Sequence, residues 1–203
     1  MNLANKLTLF RIILAPVFFV IYLLPHFFPS LSVDGGKWTI PVLWIVFIVS
    51  ELTDYFDGLA ARKLKLTSDF GKLFDPFADT LVQLTCFFCF VIDGTWGGGI
   101  LPVILFLIVI YREFGVLFLR NLMLKKGITL GARMGGKIKT VVYIIAIGAA
   151  LLAATFERLA VFEHLLPQTK TAALVVFIVS VIIAVVSFVD YAIVYQKTGK
   201  NHG

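Results

Sequence analysis

Residues 171–195, TAALVVFIVSVIIAVVSFVDYAIVY, are the stretch that decides the fold of this 203-residue chain. Asp190 is the one charged residue in the stretch. An α-helix needs about 20 consecutive apolar residues to cross the hydrocarbon core of a bilayer, and a buried helix of a soluble protein needs fewer. The stretch therefore predicts a transmembrane helix.

Apolar length predicts five further spans, which gives six in total. These five spans cover residues 8–28, 39–61, 75–93, 99–121 and 138–156. Hydrophobic residues make up 60% of the chain and charged residues 15%, and the mean hydropathy is +0.97. Because a soluble domain carries about 25% charged residues, this composition excludes a soluble enzyme, a disordered tail and a disulfide scaffold. The expected fold is an all-α integral membrane bundle of six transmembrane helices, forming a single domain over residues 1–203.

The basic residues predict the orientation of the bundle. The net charge is +6, from 18 Lys and Arg against 12 Asp and Glu. Only Lys37, Arg158 and Lys170 fall on one side of the predicted spans, and the other fifteen fall on the opposite side. Cytoplasmic loops of membrane proteins gather Lys and Arg, so both termini are predicted to be cytoplasmic. The same rule explains the positive charge without a nucleic-acid partner.

Four aspartates surround the loop between the second and third predicted spans. Asp54 and Asp57 are three residues apart and Asp75 and Asp79 are four apart, so each pair shares a helix face. One Asp at the centre of a span costs about 3 kcal/mol, and less near its end. A divalent cation would offset this cost and the mutual repulsion of the carboxylates. Ligands that are all oxygen favour a hard ion, so the sequence predicts one or two Mg²⁺ or Mn²⁺ ions, which commonly pair with substrate phosphates.

The segment Asp54–Asp79 has the pattern D-x2-D-G-x2-A-R-x8-G-x3-D-x3-D. This pattern resembles the signature of the CDP-alcohol phosphotransferases, which are membrane enzymes of six spans. The resemblance implies that the four aspartates hold the metal on the diphosphate of a CDP-linked lipid, and that the protein is a homodimer. It implies that Asp79 is also the catalytic base, which takes the proton of an acceptor alcohol before CMP leaves. The residues that the resemblance places at the CDP site are Asp57, Gly58, Ala61, Arg62 and Gly71.

Two further stretches resemble one branch of that family, the bacterial enzymes whose acceptor is sn-glycerol 3-phosphate. They are Asn5-Lys-Leu-Thr-Leu-Phe-Arg11, and Arg112-Glu113 followed by Gly136-Lys-Ile-Lys-Thr140. The resemblance implies transfer of a phosphatidyl group from CDP-diacylglycerol to that acceptor. It also implies a multi-pass protein of the bacterial inner membrane with its active site facing the cytoplasm. The residues expected near the acceptor phosphate are Arg112, Lys137, Lys139, Arg11, Thr8 and Arg120.

Several alternatives stay open at the level of sequence. The acceptor could be inositol phosphate, serine or a second lipid, and Arg112 could pair internally with Glu113 without binding a ligand. A cation or proton transporter would also place carboxylates in a membrane, but the chain has no internal repeat and its acids cluster at one interface. Cys86 and Cys89 are expected to be packing residues, because no His or further Cys lies near them. Asp190 is expected to pack between helices or at the interface.

Overall fold

The computed structural model describes residues 3–28, 33–64, 69–93, 100–125 and 134–201, without the side chains of residues 3–4, 33, 57–64, 69–73, 100–102 and 198–201. Six long α-helices account for most of these residues, and the described chain contains no strand. The helices are α1 (Leu3–Phe27), α2 (Thr39–Leu64), α3 (Asp69–Ile92), α4 (Ile100–Lys125), α5 (Met134–Leu159) and α6 (Leu166–Asn201). Short 3-10 turns lie at Val33–Gly36 and Glu163–Leu165. Each predicted span falls on one helix, so the all-α prediction is confirmed.

Five of the six helices are long and apolar enough to cross a membrane, by length and composition, within the described residues. They are α1, α2, α3, α5 and α6. Helix α4 is not among them; its described side chains begin at Val103 and include Arg112, Glu113 and Arg120. The protein is therefore a helical membrane protein, whereas crossing by α4 and the cytoplasmic location of both termini stay predictions.

Helix α3 packs against α1, α4 and α5, and α6 packs against α4 and α5. An aromatic cluster fixes the middle of this arrangement. The ring of Phe87 on α3 lies 5.0 Å from that of Tyr143 on α5 and 5.2 Å from that of Phe177 on α6, measured between centroids. Cys86 and Cys89 are buried in the same core as free thiols. The prediction that both cysteines are packing residues is confirmed.

Arg158 joins three helices at the end of the bundle where α1 finishes and α2 begins. Its Nη2 donates to the carbonyl oxygen of Tyr22 over 2.8 Å, and its Nη1 donates to Thr39 Oγ1 over 3.1 Å. The Tyr22 hydroxyl in turn donates to Asp93 at the end of α3. These contacts fix α1, α2, α3 and α5 relative to one another at the end opposite the predicted aspartate cluster.

Candidate functional site

Arg11 on α1 brings two of the predicted metal-binding aspartates together. It is 2% exposed, and its Nη1 donates to Asp54 Oδ1 on α2 over 2.5 Å and also to Asp79 on α3. A buried charge is tolerated only when it is paired and hydrogen-bonded. The Arg11 guanidinium therefore links α1, α2 and α3 at the point where Asp54 and Asp79 converge.

Thr8 lies one turn before Arg11 on the same face of α1. Its Oγ1 donates to Asp75 Oδ1 over 2.5 Å, and the threonine is fully buried. Residues three and four apart are neighbours on a helix surface, so Thr8 and Arg11 face Asp75 and Asp79 across the α1–α3 contact. The structure thus places Thr8 and Arg11 among the aspartates, although the sequence predicted them near the acceptor phosphate.

The predicted CDP site falls entirely outside the described side chains. Asp57, Gly58, Ala61 and Arg62 belong to α2 and Gly71 belongs to α3. Among the side chains that the structure does describe, no three His, Cys, Asp or Glu groups lie close enough to hold a metal ion. Because Asp57 is not among those side chains, the predicted metal and CDP ligands stay predictions.

A cavity of about 230 Å³ lies between α3, α4, α5 and α6. Asp75 and Asp79 line its α3 wall, and the predicted acceptor residues of α4 and α5 line the facing walls. These basic residues are Arg112, Arg120, Lys137 and Lys139. The structure therefore brings four of the six predicted acceptor-phosphate residues into one cavity with the predicted base.

Arg112 is held on all sides by the protein. Its Nη1 donates to Glu113 over 2.8 Å, its Nε to the carbonyl oxygen of Ala184 over 3.0 Å, and its Nη2 to Ser187 Oγ over 3.1 Å. Arg112 and Glu113 are 5% and 3% exposed. The internal Arg112–Glu113 pair, one of the alternatives left open by the sequence, is present in the structure.

Lys139 is the second buried cation of this network. Its Nζ donates to Gln83 Oε1 and to Glu113 Oε1, both over 3.1 Å, and lies 4.4 Å from the centroid of the Tyr143 ring. Glu113 therefore serves as the shared counter-ion of Arg112 and Lys139. The network joins α3, α4, α5 and α6 in the wall of the cavity.

Arg120 and Lys137 differ from these two buried cations. Neither makes a hydrogen bond or an ion pair with a residue in the part of the chain that the structure describes. Lys137 is exposed, and the guanidinium carbon of Arg120 lies 5.8 Å from the ring centroid of Tyr191 on α6. Among the basic residues lining the cavity, these two are the ones with charge available for a ligand.

A second cavity lies on the other side of Asp79, with a volume of about 10 Å³. This is about the space that one water molecule needs. Most of its lining is polar, and the lining residues are Arg11, Ser50, Glu51, Asp54, Asp79, Val82, Gln83 and Thr140. Asp79 therefore lines both cavities. The large cavity contains four basic residues, and the small one contains three acidic residues and Arg11.

Sequence reasoning missed the contribution of α6 to this site. Ser187 and Tyr191 are one turn apart, and both face the start of α5 at close range. A Cβ atom placed on Gly135 would lie 3.3 Å from Ser187 Oγ, and one on Gly136 would lie 3.3 Å from the Tyr191 hydroxyl oxygen. The sequence did contain an indication of this contact. Ser187 and Tyr191 are polar groups one turn apart in an apolar span, and Gly135 and Gly136 are adjacent glycines that allow a close approach.

Because Glu113 is the shared counter-ion of Arg112 and Lys139, we expect its loss to destabilise the protein much more than the loss of Glu157. Glu113→Ala leaves two buried cations without their carboxylate, so the free energy of unfolding should fall by about 3 kcal/mol or more. Glu157→Ala is the matched control, because Glu157 pairs with Lys170 over 2.8 Å at a more exposed position and should change stability by less than about 1 kcal/mol. Unfolding of both variants in the same detergent measures the difference. Equal losses would contradict the role assigned to Glu113.

Comparison with known proteins identifies the family of this chain. A family model for CDP-alcohol phosphatidyltransferases matches residues 1–194. The CDP-diacylglycerol–glycerol-3-phosphate 3-phosphatidyltransferase of Treponema pallidum is 36% identical over 199 residues, covering 94% of this chain and 88% of the relative. The enzyme of the same name from Bacillus subtilis is 41% identical over 155 residues, covering 74% and 77%. A probable phosphatidylglycerophosphate synthase of Mycobacterium tuberculosis is 33% identical over 193 residues, covering 94% and 79%. The chain belongs to the CDP-alcohol phosphatidyltransferase family.

Proposed function

We propose that this chain transfers the phosphatidyl group of CDP-diacylglycerol to sn-glycerol 3-phosphate, releasing CMP and forming phosphatidylglycerophosphate. The observation that carries the proposal is the cavity of about 230 Å³, in which Asp79 faces Arg120 and Lys137, two cations that have no hydrogen-bond or ion-pair partner among the described residues. An acceptor that carries both a hydroxyl and a phosphate fits this cavity, because the hydroxyl can contact Asp79 and the phosphate can contact Arg120 and Lys137. The names of the relatives from Treponema pallidum and Bacillus subtilis describe the same reaction.

The acceptor would bind with its hydroxyl at Asp79 and its phosphate at Arg120 and Lys137. The Asp79 carboxylate takes the hydroxyl proton as general base. The alkoxide oxygen then attacks the phosphorus that carries the diacylglycerol group. One P–O bond forms to the acceptor and the P–O bond to CMP breaks, so the leaving CMP retains the bridging oxygen. Transfer in this form takes one step and needs no covalent enzyme intermediate.

The metal proposal rests on the chemistry of the carboxylates. Asp54, Asp57, Asp75 and Asp79 would hold one or two Mg²⁺ or Mn²⁺ ions, and oxygen-only ligands suit such hard ions. Two of these carboxylates already converge, because Asp54 and Asp79 share the Arg11 guanidinium. When bound, the ion offsets the charge of the diphosphate. The residues proposed for the CDP moiety remain Asp57, Gly58, Ala61, Arg62 and Gly71.

Arg112 and Lys139 receive a different role from the one predicted by sequence. Their donors are engaged by Glu113, Ser187, Gln83 and the Ala184 carbonyl. We therefore assign them to positioning the cavity wall and to its positive potential, and we assign the acceptor phosphate to Arg120 and Lys137. An acceptor without a phosphate would leave these two cations without an anion, which disfavours serine.

The membrane, the side that the active site faces and the oligomeric state are also proposals. Four basic residues line the cavity, namely Arg112, Arg120, Lys137 and Lys139, and all four belong to the side of the predicted spans that carries most of the basic charge, which is typical of the cytoplasmic side. We infer an active site that faces the cytoplasm from a bacterial inner membrane, in a protein that works as a homodimer as the family resemblance implies. Membrane lipid would then supply CDP-diacylglycerol from within the bilayer, and sn-glycerol 3-phosphate would enter from water.

A panel of acceptors tests the proposed reaction. Purified protein with CDP-diacylglycerol and Mg²⁺ or Mn²⁺ should release CMP with sn-glycerol 3-phosphate, and not with serine, inositol phosphate or glycerol. Asp79→Asn should lower this rate at least about a thousandfold, because it removes the general base and a proposed metal ligand. Asp190→Asn on α6 is the control and should retain most of the activity. Release with a different acceptor only would refute the proposed substrate, and an active Asp79→Asn variant would refute the proposed base.

Lysine substitutions test where the acceptor phosphate binds. Lys137→Ala should raise the KM for sn-glycerol 3-phosphate about tenfold or more, because a hydrogen bond to a charged group is lost. The KM for CDP-diacylglycerol should stay unchanged. Lys125→Ala removes an exposed lysine at the end of α4, outside the cavity lining, and should change neither constant. Equal effects of Lys137→Ala on both substrates would remove the case for its phosphate contact.

A further inference from the structure

Gln83 on α3 connects the buried cation Lys139 to the small cavity. It is 4% exposed, and its Oε1 accepts a hydrogen bond from Lys139 Nζ over 3.1 Å. Because a lysine nitrogen only donates, this contact fixes which end of the Gln83 amide is the oxygen. It is also the one hydrogen bond that the structure records for Gln83 among the described residues. The two N–H donors on Nε2 are therefore left for a group in the small cavity, which Gln83 lines.

Asp79 lies one turn before Gln83 on α3. Residues four apart are neighbours on a helix surface, yet the two side chains make no direct hydrogen bond within the described structure. Both line the small cavity, whose volume of about 10 Å³ is about what one water molecule needs. Polar groups that are too far apart for a direct hydrogen bond are commonly bridged by water. The small cavity therefore has the size and the place for a bridge between Gln83 and Asp79.

The lining of the small cavity also offers the hydrogen-bond partners that a buried water requires. Such a water typically makes about three hydrogen bonds, whereas cavities that stay dry are apolar. Gln83 supplies a donor, and Asp79, Asp54 and Glu51 supply carboxylate acceptors. Val82 is the one apolar residue of this lining. The chemistry of the walls thus favours water over an apolar void.

We propose that the small cavity binds a single water molecule, and that Gln83 is a positioning residue for Asp79 through this water. Gln83 Nε2 donates to the water oxygen, and the water donates to the Asp79 carboxylate. Arg11 holds Asp79 Oδ1 from α1, so the carboxylate is fixed at two points by residues of the small cavity. A general base must stay within hydrogen-bond reach of the proton that it takes, and the water orients Asp79 for this. The catalytic part of the inference rests on the proposed function, because Gln83 acts through the proposed base.

Gln83→Met tests the positioning role, because methionine keeps the length of the side chain and removes both polar ends of the amide. The kcat should fall about tenfold or more, as expected when a hydrogen bond to a charged group is lost. The KM for each substrate should stay near its original value. Thr85→Val is the matched control on the same helix. The Thr85 hydroxyl donates to the Leu81 carbonyl oxygen of its own helix, so its loss should change none of these constants.

Gln83→Glu separates the donor from the acceptor of the amide. An ionised carboxylate keeps an acceptor for Lys139 and has no donor for the water. The kcat should therefore fall in Gln83→Glu as it does in Gln83→Met. An original kcat in Gln83→Glu would overturn the proposal, because Gln83 would then serve only as a partner of Lys139. An unchanged kcat in Gln83→Met, or a fall in kcat together with a rise in both KM values, would also contradict it.

A crystal structure of the full chain, at a resolution that shows ordered water, separates this proposal from the proposed function. It should show one water within hydrogen-bond distance of Gln83 Nε2 and of the Asp79 carboxylate, and this water should be absent in Gln83→Met. No water at this place, or a direct hydrogen bond from Gln83 to Asp79, would refute the water site. This result does not depend on activity, so the water site would still be tested if the protein released no CMP with any acceptor and the proposed function failed.

Discussion

The pairing of Arg11 with Asp54 and Asp79 is the interaction on which the rest of the site depends. Carboxylates in an apolar bundle are costly and repel one another, and a buried guanidinium offsets both effects. Because the three residues come from α1, α2 and α3, the same contact also fixes the relative positions of these helices. Asp79 is thereby held where the two cavities meet. Thr8, one turn before Arg11 on α1, likewise fixes Asp75, one turn before Asp79 on α3, by donating a hydrogen bond to its carboxylate.

The basic residues of the acceptor cavity divide into two groups with different physical roles. Arg112 and Lys139 are buried and share Glu113, so they stiffen the wall and contribute positive potential. Arg120 and Lys137 are without such partners among the described residues, so their charge is available to a ligand. In such a site, Arg120 and Lys137 can bind a phosphate. Arg112 and Lys139, together with Glu113, hold α3, α4, α5 and α6 in their relative positions.

The sequence predicted the helices well because apolar length alone determines which segments can cross a bilayer. It also placed Asp54 and Asp79 in one site, since helical spacing and the family signature both indicate convergence. It left the partner of Arg112 open, with the internal pair to Glu113 as one alternative, and it assigned no partner to Lys139. Arg112 and Glu113 are adjacent in the chain, and adjacent residues on a helix do not face each other, yet their side chains meet over 2.8 Å. Ser187 and Tyr191 were missed for a related reason, because their contribution depends on the close approach of α5 and α6 at Gly135 and Gly136.

The central claim is that Asp79 activates the acceptor for direct transfer between two substrates that meet beside it. The most direct measurement is the stereochemical course at the transferred phosphorus, made chiral with oxygen isotopes in CDP-diacylglycerol and analysed in the lipid product. A single in-line displacement predicts inversion of configuration. Retention would mean two displacements through a covalent enzyme intermediate and would contradict the role of Asp79 as the base of a one-step transfer.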